Sequence, residues 1–532
     1  MSFIFFLLFA VAIFTFCTCM TDTHILPKWL FTLGMAAIVG MVRSIILLFE
    51  KQCKSKGLLS YMTVAFLCFC QSVYSIMQEF ELCSSNFSYQ VVGSFDNPAG
   101  LSACLSLGIP SNIYLFYVSD RRAIKGASVL MALFIAIALF LSESRAGILS
   151  GLFLPIIWLA FAFTKKRGLK FLMLGICIFL MPIIYMLKKD SADGRLGMLR
   201  CGWEMVKERP IFGHGIGGVQ AHYMDYQAKW LSQHVESGFY MLADNVKSVF
   251  NEYLTIGICY GIVGWLLLGV FICLMIHCYL KSSSEESQCA LMMLAVIGVQ
   301  GCFSYPFSYP FTWLVLALSC YVLLHNAYPI TLPKNKLVRC TMAFALFCAS
   351  SFLLYGTVKR TRAELEWGKI SQVALMGRGV EVLPRYESLM PILGNEPYFL
   401  YNYAAELYMV KRYEEALKIG TRCRVYWADY DLELLLGELY EKLYQYEKAL
   451  EHFEIAHNMC PNRFVPLYKL FKIYKALGDT ARVISIGNEI LTKRVKVPSG
   501  KIDIILNNVR YELQKIKERD ITTIETFIDN FK

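Results

Sequence analysis

The sequence predicts an all-α, polytopic transmembrane protein: about eleven membrane helices, a large loop and a C-terminal α-solenoid of helical repeats. Three observations predict it. Of the 532 residues, 56% are hydrophobic and 17% charged, against an apolar share of about 45 to 50% in soluble domains. The apolar residues arrive in blocks of roughly 15 to 22, long enough to cross about 30 Å of hydrocarbon as helix. After Tyr355 the blocks stop and amphipathic segments with helical periodicity follow.

In chain order the apolar blocks cover 3–18, 29–49, 58–77, 98–118, 127–141, 146–163, 171–187, 256–279, 289–303, 311–324 and 340–355. The first lacks a basic leader and an A-x-A cleavage site, so it reads as a retained helix. The blocks divide the chain into membrane helices over 1–187, a polar loop over 188–255, further membrane helices over 256–356 and a repeat domain over 357–532. Lys and Arg in short loops stay on the cytoplasmic side. One alternate set of loops carries Lys51, Lys54, Lys56, Arg121, Arg122, Lys125, the 165–170 cluster, Lys281, Lys334, Lys336 and Arg339, whereas the opposite short loops hold little beyond Lys28 and Arg145. The N-terminus is therefore expected inside, with the 188–255 loop and the C-terminal domain outside. The net charge of +11 then reflects topology, and no basic stripe interleaved with aromatics points to nucleic acid. Most of the nineteen cysteines lie in apolar blocks, where Cys is a small apolar filler; Cys83, Cys201, Cys423 and Cys460 lie outside them without metal-ligand spacing.

The C-terminal domain repeats itself. RYEEALKIG from Arg412 returns as QYEKALEHF from Gln445 and, more loosely, as DTARVISIG from Asp479. Tyr413, Tyr446 and Thr480 are spaced by 33 and 34, the period of tetratricopeptide hairpins. Ala416 and Ala449 are the small residues that let paired helices approach; Leu407, Leu436 and Tyr440 supply bulk. A looser unit is expected over 363–393. Such an array either binds an extended peptide or another protein on its concave face, or merely covers the loop or stabilises an oligomer.

Polar chemistry gathers in three places. ESRAG, 143–147, forms a turn between two apolar blocks; the segment 193–218 carries Arg195, Arg200, Trp203 and GHGIGG; and ADNVKSVFNEYL, 243–254, leads into the next block. The planar fork of Arg grips phosphate oxygens in pairs and keeps its charge. Arg145 and Arg195 could therefore hold a diphosphate beside a membrane, or else only contact headgroups. The glycines of GHGIGG give a backbone able to approach a ligand closely, but without a following Lys and Ser or Thr they form no phosphate loop. His214, His222 and His234, spaced by 8 and 12, match no zinc motif, and no metal or cofactor is expected.

SESRAG, then Arg195 with Pro210 and GHGIGG, then NEYL, resembles the superfamily of O-antigen ligases, O-antigen polymerases and protein O-oligosaccharyltransferases, over about 142–265. FDNPAG at 95–100 and the appended repeats resemble its Bacteroidetes-type branch. The resemblance implies a metal-independent glycosyltransferase on the periplasmic face of the bacterial inner membrane. Its donor would be a glycan on undecaprenyl diphosphate; its acceptor would be a lipid A core sugar, another glycan or a protein hydroxyl. Arg145 and Arg195 match the two arginines that engage the donor diphosphate. Arg200, His214, Asp244, Asn251 and Glu252 are the expected substrate-binding residues around them.

One departure stands out. The ligase pattern places His before Asn, nine residues, then G-x-x-G; here Asn251, Gly261 and Gly264 fit, but Phe250 holds the His position. His222 is the favoured replacement base, with Asp244 or Glu252 as alternatives, and Asp225 reads as structural. A diphosphate is also a good enough leaving group to need no strong base. Two other classes compete: a transporter of lipid-linked glycans, which should show inverted repeats and midplane polar sites, and a repeat-based assembly scaffold, for which so many helices are more than an anchor requires.

Overall fold

The computed structural model describes residues 2–49, 57–85, 89–163, 189–235, 237–329, 333 and 335–529. Every regular element among them is helical. Among the described residues, seven helices are long and apolar enough to cross a membrane: Ile25–Phe49, Leu58–Glu79, Pro98–Val118, Arg122–Leu141, Glu252–Lys281, Pro310–Ala327 and Lys336–Leu375. The blocks at 3–18 and 146–163 form shorter apolar helices, and the block at 289–303 falls on the helix Glu285–Gly301. The block at 171–187 lies outside the described residues.

The chain forms two compact units. The first comprises Met1–Leu187, Phe250–Tyr253 and Val263–Gln372; the second comprises Lys188–Val249, Leu254–Ile262 and Val373–Lys532.

The first unit is built around Pro98–Val118, of whose most apolar window 78% is buried. Asn97 starts this helix: its side chain accepts from Ala99 N at 2.8 Å and Gly100 N at 3.0 Å, with Pro98 in the first turn, where its missing N–H costs nothing. Small residues then bring neighbours close. A Cβ on Gly108 would lie 2.6 Å from Cys68 Cβ. The segment 145–163 is interrupted: Arg145–Ile148 is α-helical, Leu149–Phe153 forms a π turn and Leu154–Phe163 resumes the α-helix. The last apolar helix continues well past Tyr355, through Gly356 and Gly368, because no Pro interrupts it before Gly377, whose φ of 81° ends the run.

The second unit joins the polar loop to the C-terminal helices. Lys189–Glu208 and Gly218–Gln233 are the loop's two helices. The three repeated segments each start a helix, Tyr413–Arg424, Tyr446–Met459 and Thr480–Thr492, each preceded by an antiparallel partner. Ala416, Ala449, Leu407 and Leu436 are buried at their contacts. A Cβ on Gly437 would lie 2.6 Å from Phe453 Cε1, so small residues set the helix spacing here too.

The helix Gly218–Gln233 packs on Tyr446–Met459. Gln227 Nε2 donates to Met459 O at 2.8 Å and to Asp244 O at 3.0 Å. Asn245 Nδ2 donates to Asp429 Oδ2 at 2.7 Å, and Ala428 N to Gln220 O at 3.1 Å. The repeats thus hold the loop by a series of hydrogen bonds.

Candidate functional site

In the first unit Arg145 opens the short helix Arg145–Ile148 and is half-buried. Its position follows from its neighbours. Ser144 caps the helix by accepting from Gly147 N at 3.3 Å, and its hydroxyl donates to Ser102 Oγ at 2.8 Å. Gln300 Nε2 donates to the same Ser102 Oγ at 3.2 Å, and Ser150 Oγ donates to Ala146 O at 2.8 Å. Gly147 leaves no alternative, since a Cβ there would lie 2.4 Å from Ser102 Cβ. A neutral, buried hydrogen-bond network and a π turn, a device frequent at functional positions, therefore fix where the Arg145 backbone sits.

Phe250, Asn251 and Glu252 all engage the segment between Glu285–Gly301 and Pro310–Ala327. Asn251 Nδ2 donates to Cys302 O at 3.1 Å, and Glu252 Oε1 accepts from Phe307 N at 3.2 Å. The Phe250 ring meets Tyr305 edge-on at 5.2 Å. These contacts give the motif residues a positioning role in this structure. Phe250 adopts φ 53°, a region in which bulky residues are rare and His, Asn and Asp are enriched.

A polar cluster beside this segment escaped the sequence reading. Asn97 Nδ2 donates to Tyr305 OH at 2.9 Å and contacts Asp96 Oδ2 at 2.6 Å, while Tyr309 OH donates to Asp96 Oδ1 at 2.9 Å. Lys28 is fully buried nearby; its Nζ donates to Thr15 O at 2.8 Å and lies 5.0 Å from the centre of the Phe95 ring. The available signal was FDNPAG itself, a polar patch immediately before a membrane-length block.

In the second unit the glycine-rich run meets its own chain. His214 N donates to Ile258 O at 2.8 Å, Gly215 N to Cys259 O at 2.9 Å and Ile262 N to Pro210 O at 2.8 Å. A Cβ on Gly213 would lie 2.5 Å from the Cys259 carbonyl carbon, and one on Gly261 would lie 2.4 Å from Ile211 O. Gly261 has φ 60°, ψ −151°, a conformation essentially confined to glycine. The close approach expected toward a ligand is thus a correction at Gly213: the backbone it admits is 258–260. By contrast, Gly215 and Gly217 have open space around them and positive φ, as turns require.

His214 and His222 come together, with ring centroids 5.6 Å apart, and Tyr226 stands 5.7 Å from His214. His214 Nε2 is 3.0 Å from Met205 O. Burial pushes the His222 imidazole below its ordinary value, aided by His214, Arg209 and Arg424 and opposed by Asp225. His222 is therefore mostly neutral at neutral pH, the form a base requires. Asp225 pairs with Arg424, which also holds the buried Glu433. Asp244 pairs with Arg463 at 2.7 Å. Arg195 lies half-buried on Lys189–Glu208, and the Arg200 guanidinium sits 5.1 Å from the centre of the Phe239 ring. Cys83, Cys201, Cys423 and Cys460 are free thiols.

A set of membrane-length helices with buried neutral polar networks, and a charged loop carrying paired histidines and several arginines, define a multi-pass membrane protein with its polar chemistry concentrated in a few segments. Residues 130–269 match the O-antigen ligase family, a segment that includes Arg145, Arg195, His222 and Gly261. The matched segment, 140 of the 532 residues, is similar to the domain of O-antigen ligases, which are membrane glycosyltransferases. No curated protein matches the sequence.

Proposed function

We propose that the protein transfers a glycan from undecaprenyl diphosphate to a hydroxyl acceptor on the periplasmic face of a bacterial inner membrane, with the N-terminus cytoplasmic and the C-terminal domain periplasmic. The match over 130–269, which includes both candidate arginines, carries the reading. Arg145 and Arg195 engage the diphosphate and stabilise the charge that accumulates as the anomeric C–O bond breaks. Undecaprenyl diphosphate departs with the bonding electron pair. The acceptor oxygen forms the new bond to the anomeric carbon, and its proton passes to the imidazole of His222. No metal or cofactor is required by this scheme.

The acceptor is a lipid A core sugar, another glycan or, in the protein O-oligosaccharyltransferase reading, a protein hydroxyl. The hydrogen bonds between the repeats and the loop favour a role for the tetratricopeptide-like array in holding the loop, with its remaining surface open to a protein partner. Arg145→Ala and Arg195→Ala should each reduce glycan transfer in cells by about 100-fold or more at unchanged protein level, and Lys at either position should restore part of it. Undiminished transfer in either Ala variant would refute the assignment. Comparing surface glycans and glycoproteins of a deletion strain by gel and mass spectrometry identifies the acceptor.

A further inference from the structure

The helix Lys189–Glu208 has two distinct faces. Cys201, Gly202, Met205 and Val206 are buried, and a Cβ on Gly202 would lie 2.7 Å from Leu254 Cδ2. Leu196, Leu199, Arg200 and Trp203 recur at helical spacing on another side. That side, together with Glu204, opens onto a cavity of about 570 Å³ whose remaining wall is Trp230, His234 and Leu254. The volume suits a small ligand.

Three features describe what fits there. The wall is aromatic and firm: Trp230 and His234 stack at 4.3 Å with rings 6° from parallel, and His234 Nδ1 is 2.8 Å from Trp230 O. Trp203 is about half exposed, at 49%, and lines the same space. Finally, the charges are mixed: Arg200 is braced over Phe239, and Glu204 lies one turn further along the helix, 2.6 Å from Lys207.

We infer that this cavity is a pyranose subsite, in which the Trp203 indole packs against ring C–H bonds while Arg200 and Glu204 bind hydroxyls. A pyranose has an apolar C–H face and a rim of paired donors and acceptors, and this wall offers the complement of both. A hydrocarbon chain would make no use of the donors of Arg200 or the acceptors of Glu204 that line the same wall. A second anion is disfavoured by Glu204. The inference deepens the transferase reading and rests on it, since it assigns a place to a sugar of the donor or acceptor glycan.

The test uses the full chain in lipid nanodiscs and saturation-transfer NMR with a mixture of methyl glycosides of hexoses, N-acetylhexosamines and deoxyhexoses. At least one glycoside should receive saturation at its ring C–H protons. Trp203→Ala should cut the transfer at least fivefold, Trp203→Phe should keep most of it, and Trp158→Phe, elsewhere in the chain, should leave it unchanged. Absence of saturation with the wild-type chain, or equal saturation with Trp203→Ala, overturns the subsite. A separate arm follows surface glycans in Arg195→Ala. Normal glycans there with glycoside saturation retained refute the transferase reading while the sugar site stands; lost glycans with no saturation refute the subsite alone.

Discussion

The two units solve the same problem, holding polar groups in fixed places, with different chemistry. In the membrane unit the network beside Arg145 is neutral, with Ser102, Ser144, Ser150 and Gln300 exchanging hydroxyl and amide hydrogen bonds, and the charged groups Lys28 and Asp96 are met mostly by neutral partners. In the second unit they are ionic: Arg424 joins Asp225 to Glu433, and Arg463 holds Asp244. The difference follows from solvent. Where lipid surrounds the chain, a mismatched charge has no water to retreat to, so neutral donors and acceptors are safer. Where water is near, charge pairs can link segments far apart in sequence at modest desolvation cost.

That contrast can be broken or sharpened by substitution. The largest effect is expected for Arg424→Met, which leaves the nearly inaccessible Glu433 carboxylate with only the His452 imidazole, 2.6 Å away, as a partner and should cost about 3 to 5 kcal/mol. Thermal unfolding of the purified chain checks it, and adding Glu433→Gln should recover part of the loss. Gly261→Ala comes next, at about 3 kcal/mol or more, because the new Cβ meets Ile211 O at 2.4 Å in a conformation closed to alanine. Gly215→Ala, with open space and φ 85°, should cost only about 1 kcal/mol in the same assay. Gln300→Leu in the neutral network should cost about 1 to 2 kcal/mol; a loss as large as that of Arg424→Met would end the comparison.

A pH profile gives a finer test. If His222 accepts the acceptor's proton, transfer should rise with pH through a midpoint below the ordinary imidazole range, because burial holds its pKa down. His214→Asn removes a neighbour that lowers it further, so the midpoint should move to higher pH. A profile unmoved by His214→Asn would separate the base from this histidine pair. The smallest change is expected for Phe250→His: His tolerates the left-handed backbone at φ 53° better than Phe, and the melting temperature should stay within about 1 kcal/mol equivalent of the parent.

The apolar blocks were legible because lipid imposes a length on every crossing helix, and the superfamily was legible in SESRAG, GHGIGG and NEYL. What could not be read was pairing at a distance. Gly213 looks like a ligand-binding glycine until the 258–260 backbone is seen against it, and nothing in Asp225 announces Arg424, 199 residues later. Lys28 reads in the sequence only as a cation of a short loop, because its burial depends on Thr15 and Phe95 folding around it. The start at Pro98, capped by Asn97, coincides with the block read at 98–118, whereas Gly261 bends another helix that the apolar pattern runs straight through.

The π turn at Leu149–Phe153 has a consequence for the arginine just ahead of it. A wide turn accommodates one more residue than regular helix, so deleting a single residue there would restore even winding and swing Arg145 by about 100° around the axis. The aim of that guanidinium is thus an arithmetic property of the chain, set by how many residues lie between it and the packed serines behind it.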